Sequence, residues 1–356
     1  TLSALVTGGG GLNIAGNAVR LSNKKNDYLG KTTVANGATL YAESGALGGT
    51  SLLDVLGTAW VDENAVDALN VEQTGVLHLT GKLTVDSDST PSSIDGHVSG
   101  AGDLSLASDV ALTVTTENSG YTGDIAIGNS GSITFSGDAA GLGSGAISFA
   151  DGAVLDIQFV GDKTLTNTVT STGNAGLINV SGNGTTSDFA FASGQAVGFN
   201  GTLSLQNVTY DFNTASNDKL DNAALTVGTG AQVVIAQGAD SNKLDGLVLS
   251  GGLIDFGAAT GHIQLGGGNM TVGANSEFQI DHEEIDVIEN DDGSAAFGSG
   301  SSSLVLVSDV GNHDSLSRTD LDRITVSLDD GTSGYRRLIT QRGQNVAALK
   351  LSLIHI

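Results

Sequence analysis

The sequence has no cysteine, one proline (Pro91), one tryptophan (Trp60) and only 4% aromatic residues. Without cysteine there are no disulfides and no thiolate metal sites. With proline almost absent, nearly every residue keeps a backbone donor, as strands paired on both sides require. Basic residues are also scarce: 14 Lys and Arg stand against 39 Asp and Glu, for a formal net charge of −25. That balance disfavours nucleic acid and anionic lipid as partners. No apolar run of about 18 residues occurs, so no helix is expected to span a bilayer. No charged segment followed by an apolar stretch opens the chain, so no signal peptide is expected within it.

What is present points to strands and corners. Of 356 residues, 52 are glycine and 39% are hydrophobic, and the mean hydropathy is +0.08. There is enough apolar surface to bury, so a disordered chain is not expected. Gly, Asn and Asp favour turns, and Val, Ile, Leu, Thr and Phe fill short strands between them.

Apolar residues recur as i, i+2 pairs. Leu104 and Leu106 precede Leu112 and Val114; Ile125 and Ile127 precede Ile133 and Phe135; Ile147 and Phe149 precede Leu155 and Ile157. Within each set the second pair keeps one fixed offset from the first, as Leu112 does from Leu104. From set to set, Leu104 to Ile125 to Ile147, the step is nearly constant at 21 and then 22. Leu203, Leu225 and Leu247 keep that longer step, Leu12 and Val34 share it, and Phe212, Ile235, Phe256 and Phe278 nearly do. The i, i+2 spacing puts two side chains on one face of a strand. The long step is that of a solenoid, in which one coil cannot bury its own apolar face and neighbours must stack. The fold expected is all-β: a right-handed parallel β-helix (a solenoid) of about 22 residues per coil. Its corners would include Gly128-Asn129, Gly137-Asp138 and Asp151-Gly152. The stretch from Leu52 to Leu69 is ambiguous between strand and helix.

A longer pattern overlies the coils. The run from Leu21 through Tyr28, Gly30, Val34 and Gly37 to Leu40 resembles the passenger-associated transport repeat of bacterial autotransporters. Val114, Tyr121, Gly123, Ile127 and Ile133 match Leu21, Tyr28, Gly30, Val34 and Leu40 in a second copy further along the chain. Each copy is followed by a Leu-Gly turn, Leu47-Gly48 and Leu142-Gly143, and Phe199 to Leu205 is a weaker echo. In style the chain is similar to AIDA-like and pertactin-like adhesins. The resemblance implies a secreted β-helical passenger, exported through the outer membrane by a C-terminal barrel that lies outside this sequence. The repeat's residues are structural, so it implies no catalytic residues.

Chemical motifs read more simply as turns and loops. Gly128-Asn129-Ser130-Gly131-Ser132 approaches a serine-protease signature, but no base is identifiable to activate Ser130. His282-Glu283-Glu284-Ile285-Asp286 approaches a zinc motif that needs a helix. Glu289-Asn290-Asp291-Asp292-Gly293 offers oxygen ligands without the spacing of a calcium loop. Gly141 to Gly145 and Gly75 to Leu83 fail as nucleotide loops, and Arg342-Gly343-Gln344 is not an integrin-binding tripeptide. His78, His97, His262 and His313 are scattered. Trp60, Tyr28 and Tyr121 suggest a carbohydrate platform, with packing the favoured role for the two tyrosines.

The expectations are therefore a β-helix over 1–280, an irregular acidic loop with further strands over 281–350, and a short ending that reads as a translated sequencing adapter (351–356). Strands are expected to resume at Leu304 to Val307 and at Ile324 to Val326. Function is expected in adhesion or self-association at the bacterial cell surface. The partners would be host-surface or matrix glycans or proteins, or a second copy. No catalytic, cofactor or metal site is expected. An inert stalk and a polysaccharide-degrading enzyme are the alternatives. Outward residues such as Ser105, Thr113, Thr134, Ser148 and Gln158 should form hydroxyl-rich rows along the helix.

Overall fold

Apolar residues that alternate with polar ones can be buried on one side of a strand only if other strands close around them. The computed structural model closes them into a parallel β-solenoid of about 10 coils, each of roughly 21 residues. It describes residues 1–255 except 88, 138–141, 173–175, 184–186, 193–197, 213–219, 221–222 and 236–241. Beyond 255 it describes six short strands, at 263–265, 270–272, 277–280, 288–290, 304–306 and 325–328. The chain divides into two units, Thr1–Phe159 with Leu165–Leu177, and Val160–Thr164 with Ile178–Ile356.

In the first unit three parallel sheets enclose one core. The first sheet stacks Leu12–Ile14, Thr32–Val34, Leu53–Val55, Leu69–Val71, Ser92–Ile94, Ala111–Val114, Ser132–Ser136 and Val154–Gln158. The second stacks Ala18–Leu21, Thr39–Ala42, Thr58–Val61, Val76–Leu79 and His97–Gly100. The third stacks Asn64–Val66, Leu83–Val85, Leu104–Leu106, Ile125–Ile127, Ile147–Phe149 and Val169–Ser171. The expected apolar pairs all face inward: Leu104, Leu112, Ile125, Ile133, Ile147 and Leu155 and their i+2 companions are buried. They also meet in register, Leu112 on Ile133 on Leu155 and Leu104 on Ile125 on Ile147. Leu12 and Val34, in contrast, are not partners. Leu12 pairs with Thr32 and Ile14 with Val34, so the coil at this end is shorter than the step read from the sequence.

The stretch around Leu52 to Leu69 is short strands and corners, with no helix. Leu53 pairs directly with Leu69, which makes this a short coil. It nevertheless carries three strands, Leu53–Val55, Thr58–Val61 and Asn64–Val66, before Leu69. Such tight corners leave apolar residues at close, uneven spacings that imitate a helical period. Gly57 makes one corner possible: a Cβ there would stand 2.3 Å from the Ala35 carbonyl oxygen.

The two copies of the motif lie on different faces. Leu21 and Leu40 belong to the second sheet and Val34 to the first. In the other copy Val114 and Ile133 belong to the first sheet and Ile127 to the third. Tyr121 bridges to Gly100 of the second sheet, whereas Tyr28 falls between a second-sheet and a first-sheet strand. The pattern is thus a unit of solenoid corner, indifferent to which sheet it starts on.

Buried asparagines tie coils together at the corners. Asn26 Nδ2 donates to the Ala46 carbonyl at 2.8 Å, and the Leu47 amide donates to Asn64 Oδ1 at 3.0 Å. Asn118 Oδ1 accepts the Val98 amide, and Asn167 Nδ2 donates to the Leu142 and Gly145 carbonyls. Each bond satisfies a backbone group that a corner would otherwise strand away from water.

The second unit is built in the same way. Thr202–Gln206, Ala224–Gly228, Gly246–Ser250, Met270–Val272 and Leu304–Leu306 pair in parallel, with Leu203, Leu225 and Leu247 in register. A second sheet runs through Asp188–Phe191, Thr209–Phe212, Gln232–Ile235, Leu253–Asp255, Glu277–Ile280 and Thr325–Leu328. Phe212 meets Ile235 there, and Phe278 meets Ile254; Phe256 lies outside the described residues. Phe189, Phe191 and Tyr210 pack against one another in this unit's core, with ring centroids 5.2 to 6.3 Å apart. Strands are found at Leu304–Leu306 and Thr325–Leu328, close to where they are expected. Ile288–Asn290, inside the expected acidic loop, also forms a strand, paired with Ile263–Leu265. The rest of 281–300, and 351–356, lie outside the described residues.

Candidate surface site

Residues that alternate with the core point outward, and the direct register of parallel strands lines them into rows. On the first sheet Thr33, Asp54, Asn70, Ser93, Thr113 and Thr134 follow one another strand by strand. Their side chains bond along the row: Asn70 Nδ2 donates to Asp54 Oδ1 at 3.0 Å, and Ser93 Oγ donates to Asn70 Oδ1 at 2.7 Å. Lys31 Nζ closes on Asp54 Oδ2 at 2.7 Å. The third sheet presents Ala65, Thr84, Ser105, Ala126, Ser148 and Thr170, a row of small side chains on a flat face. Ser105, Thr113, Thr134, Ser148 and Gln158 are partly or fully exposed between buried neighbours.

The second sheet carries a different row. Arg20, Tyr41, Trp60, His78 and Ser99 are successive register partners. The Arg20 guanidinium lies 5.4 Å from the centre of the Tyr41 ring and 2.8 Å from Glu43 Oε1. Tyr41 and Trp60 stack with centroids 6.1 Å apart and planes 20° apart. Trp60 and His78 stand 3.8 Å apart, tilted by 52°, and His78 Nδ1 hydrogen-bonds Ser99 Oγ at 2.8 Å. Tyr41 and His78 both fall closer to Trp60 along the chain than the step sought in the sequence, because the coils at this end are short. The aromatic row is therefore a finding of the structure. A search for aromatic or imidazole residues at the true coil lengths of this end would have exposed it.

The other sequence candidates are placed as follows. Tyr28 and Tyr121 are buried, away from Trp60 on the surface. Tyr28 Oη bonds Thr32 Oγ1 at 2.9 Å, and Thr32 Oγ1 meets Thr50 Oγ1 at 3.0 Å. Tyr121 Oη donates to the Asp124 carbonyl at 3.2 Å. Burial above all, and then the charges of Asp103 and Asp124, raise the Tyr121 phenol above its ordinary value, so it stays protonated. Ser130 sits in a corner with φ of 54°, and its amide donates to the Asp151 carbonyl. Gly37, its counterpart in the first copy, also has positive φ, 77°, so both copies place a left-handed residue here. His282 to Asp286, Asp291 to Gly293, His262, His313 and Arg342 to Gln344 lie outside the described residues. Among the described residues no group of three or more His, Asp or Glu could hold a metal ion, and no helix is long and apolar enough to cross a membrane.

The chain is similar to an uncharacterized protein of Escherichia coli (strain K12), YuaQ: 29% identical over 253 residues, covering 66% of this chain. The chain spans only 17% of that relative's length. No family model matches, and no solved structure matches.

Proposed function

We propose that the chain is a segment of a secreted autotransporter passenger that acts at the bacterial surface by contact, in adhesion or self-association. The observation that carries this reading is the set of outward rows: small or polar side chains recur on the first and third sheets, coil after coil. Such rows offer many weak contacts over a long surface, and their summed effect supplies attachment without a deep pocket. The two motif copies, each spanning a solenoid corner, support the passenger assignment. So does similarity to a much longer bacterial protein, of which this chain spans a small part.

Display of the chain on a non-adherent bacterium tests the proposal. Increased clumping or attachment is expected. Display without any change favours an inert stalk, and breakdown of a polysaccharide by the purified chain favours the enzyme alternative.

A further inference from the structure

We propose that the outward row of the second sheet, centred on Tyr41, Trp60 and His78, is a track for a neutral, extended polysaccharide that lies along the solenoid with about one sugar ring per coil. The inference rests on the surface-contact reading and gives it a ligand class and a place. Three successive coils present an aromatic or imidazole ring at one register position. Only 4% of the chain is aromatic, and most of its largest rings, Tyr28, Tyr121, Tyr210, Phe135 and Phe149 among them, are buried. Trp60 is 37% exposed, the one aromatic among the exposed large hydrophobic side chains described.

Trp60, exposed and backed by Tyr41 and His78 on either side, offers apolar ring surface to the C–H face of a pyranose, whose hydroxyls seek polar partners at the edge. Those partners are present. Arg20 closes one end of the row and Ser99 the other, while Glu43 and Asp62 each lie two positions beyond a ring on the same strand path. Neighbouring strands stand about 4.8 Å apart, close to the rise of one sugar ring in an extended β-linked chain. A polysaccharide can therefore keep step with the coils. Charge selects among polysaccharides: Arg20 is already paired with Glu43, and the carboxylates beside the row, with a net charge of −25, repel a polyanion.

Trp60 is the sole tryptophan, so tryptophan emission, excited at wavelengths too long for tyrosine, reports on this row alone in the whole purified chain. Titration with cellohexaose and with chitohexaose, both neutral, should give a saturable change in emission for at least one of them. The trimer of the same sugar should bind more weakly, and a hyaluronan hexamer should give no change. Tyr41→Ala and His78→Ala should each weaken binding at least tenfold, with circular dichroism unchanged. Glu117→Ala, at an exposed position outside the strands and their rows, should alter it less than twofold. No emission change with either neutral hexamer, or undiminished binding by Tyr41→Ala, overturns the proposal. So does an emission change that follows protein concentration rather than sugar, which would assign the row to a second copy of the chain. Sugar binding without attachment by displaying bacteria would retain the track and remove the adhesion reading; attachment without sugar binding would do the reverse.

Discussion

The Tyr121 carbonyl accepts the Ser144 amide at 3.0 Å, and in the other copy of the motif the Tyr28 carbonyl accepts the Gly49 amide at 3.1 Å. In both, the donor follows a Leu-Gly turn whose leucine, Leu47 or Leu142, is fully buried. The motif's tyrosine and the next coil's turn are thus one device: the ring fills the core while its backbone docks the following coil. Gly143 approaches closest, since a Cβ there would stand 1.9 Å from the Tyr121 carbonyl oxygen, at a φ of 70°. Gly37 has a similar φ, 77°, but open space around it. Gly143→Ala should therefore cost about 2–4 kcal/mol, by clash and strain together, and Gly37→Ala only about 1 kcal/mol, by strain alone. Urea denaturation of the two variants compares them; equal losses would contradict the docking role.

The core and the outer rows should respond differently to truncation. Phe135 is fully buried, and Thr113 on the preceding strand of its sheet faces out. Phe135→Ala should lose about 3–5 kcal/mol through the cavity it leaves, and Thr113→Ala should stay within about 0.5 kcal/mol. The urea midpoints of both variants check this.

The corner asparagines should matter more than those of the outer rows. Removing the Asn64 side chain strands the Leu47 amide, which it bonds at 3.0 Å, while the Glu43 carbonyl keeps its bond from the Ala46 amide. Asn64→Ala should cost about 1–3 kcal/mol, the usual consequence of a buried backbone group left unpaired. Asn70→Ala removes bonds to side chains only, and the buried Asp54 among them keeps its ion pair with Lys31, so it should cost less than half as much in the same denaturation experiment.

In the second unit burial, with the charge of Asp188 adding to it, raises the Asp211 carboxyl above its ordinary value. The folded chain then holds that proton more tightly than the unfolded chain does. The ionised group lowers stability above its folded pKa, and the cost fades as pH falls through that value and below the unfolded one. Asp211→Asn should raise the melting temperature near neutral pH, and the gain should vanish in acid below the ordinary carboxylate range, about pH 4. Melting curves across that range provide the check; a gain that grows on acidification would reverse the sign.

Much of this architecture is legible in the sequence because the i, i+2 pairs are large and aliphatic. Leu112, Ile133 and Leu155 on one face and Leu104, Ile125 and Ile147 on another announce two sheets and their register. The second sheet of the first unit is quieter. Its inward positions include Ala42, Ala59 and Gly100, and its coil lengths vary, so no fixed step collects them. The same variation hides the aromatic row: Trp60 alone stands out, and it groups with Tyr28 and Tyr121 until the fold separates core from surface. The outward hydroxyl rows are legible throughout, since alternation with the core fixes where Ser105, Thr113 and Ser148 must point.

Copies of a chain carrying this much negative charge repel at low salt. Any self-association should therefore strengthen as salt rises to roughly physiological strength, where the screening length is about 8 Å. Light scattering of the purified chain across that salt range measures it, and scattering that falls as salt rises would contradict the electrostatic picture.

The central claim, that the chain works by surface contact, is tested most directly by counting washed, surface-attached cells of a non-adherent bacterium with and without the displayed chain. More attached or clumped cells are predicted with display. Equal counts at every ionic strength would contradict the account.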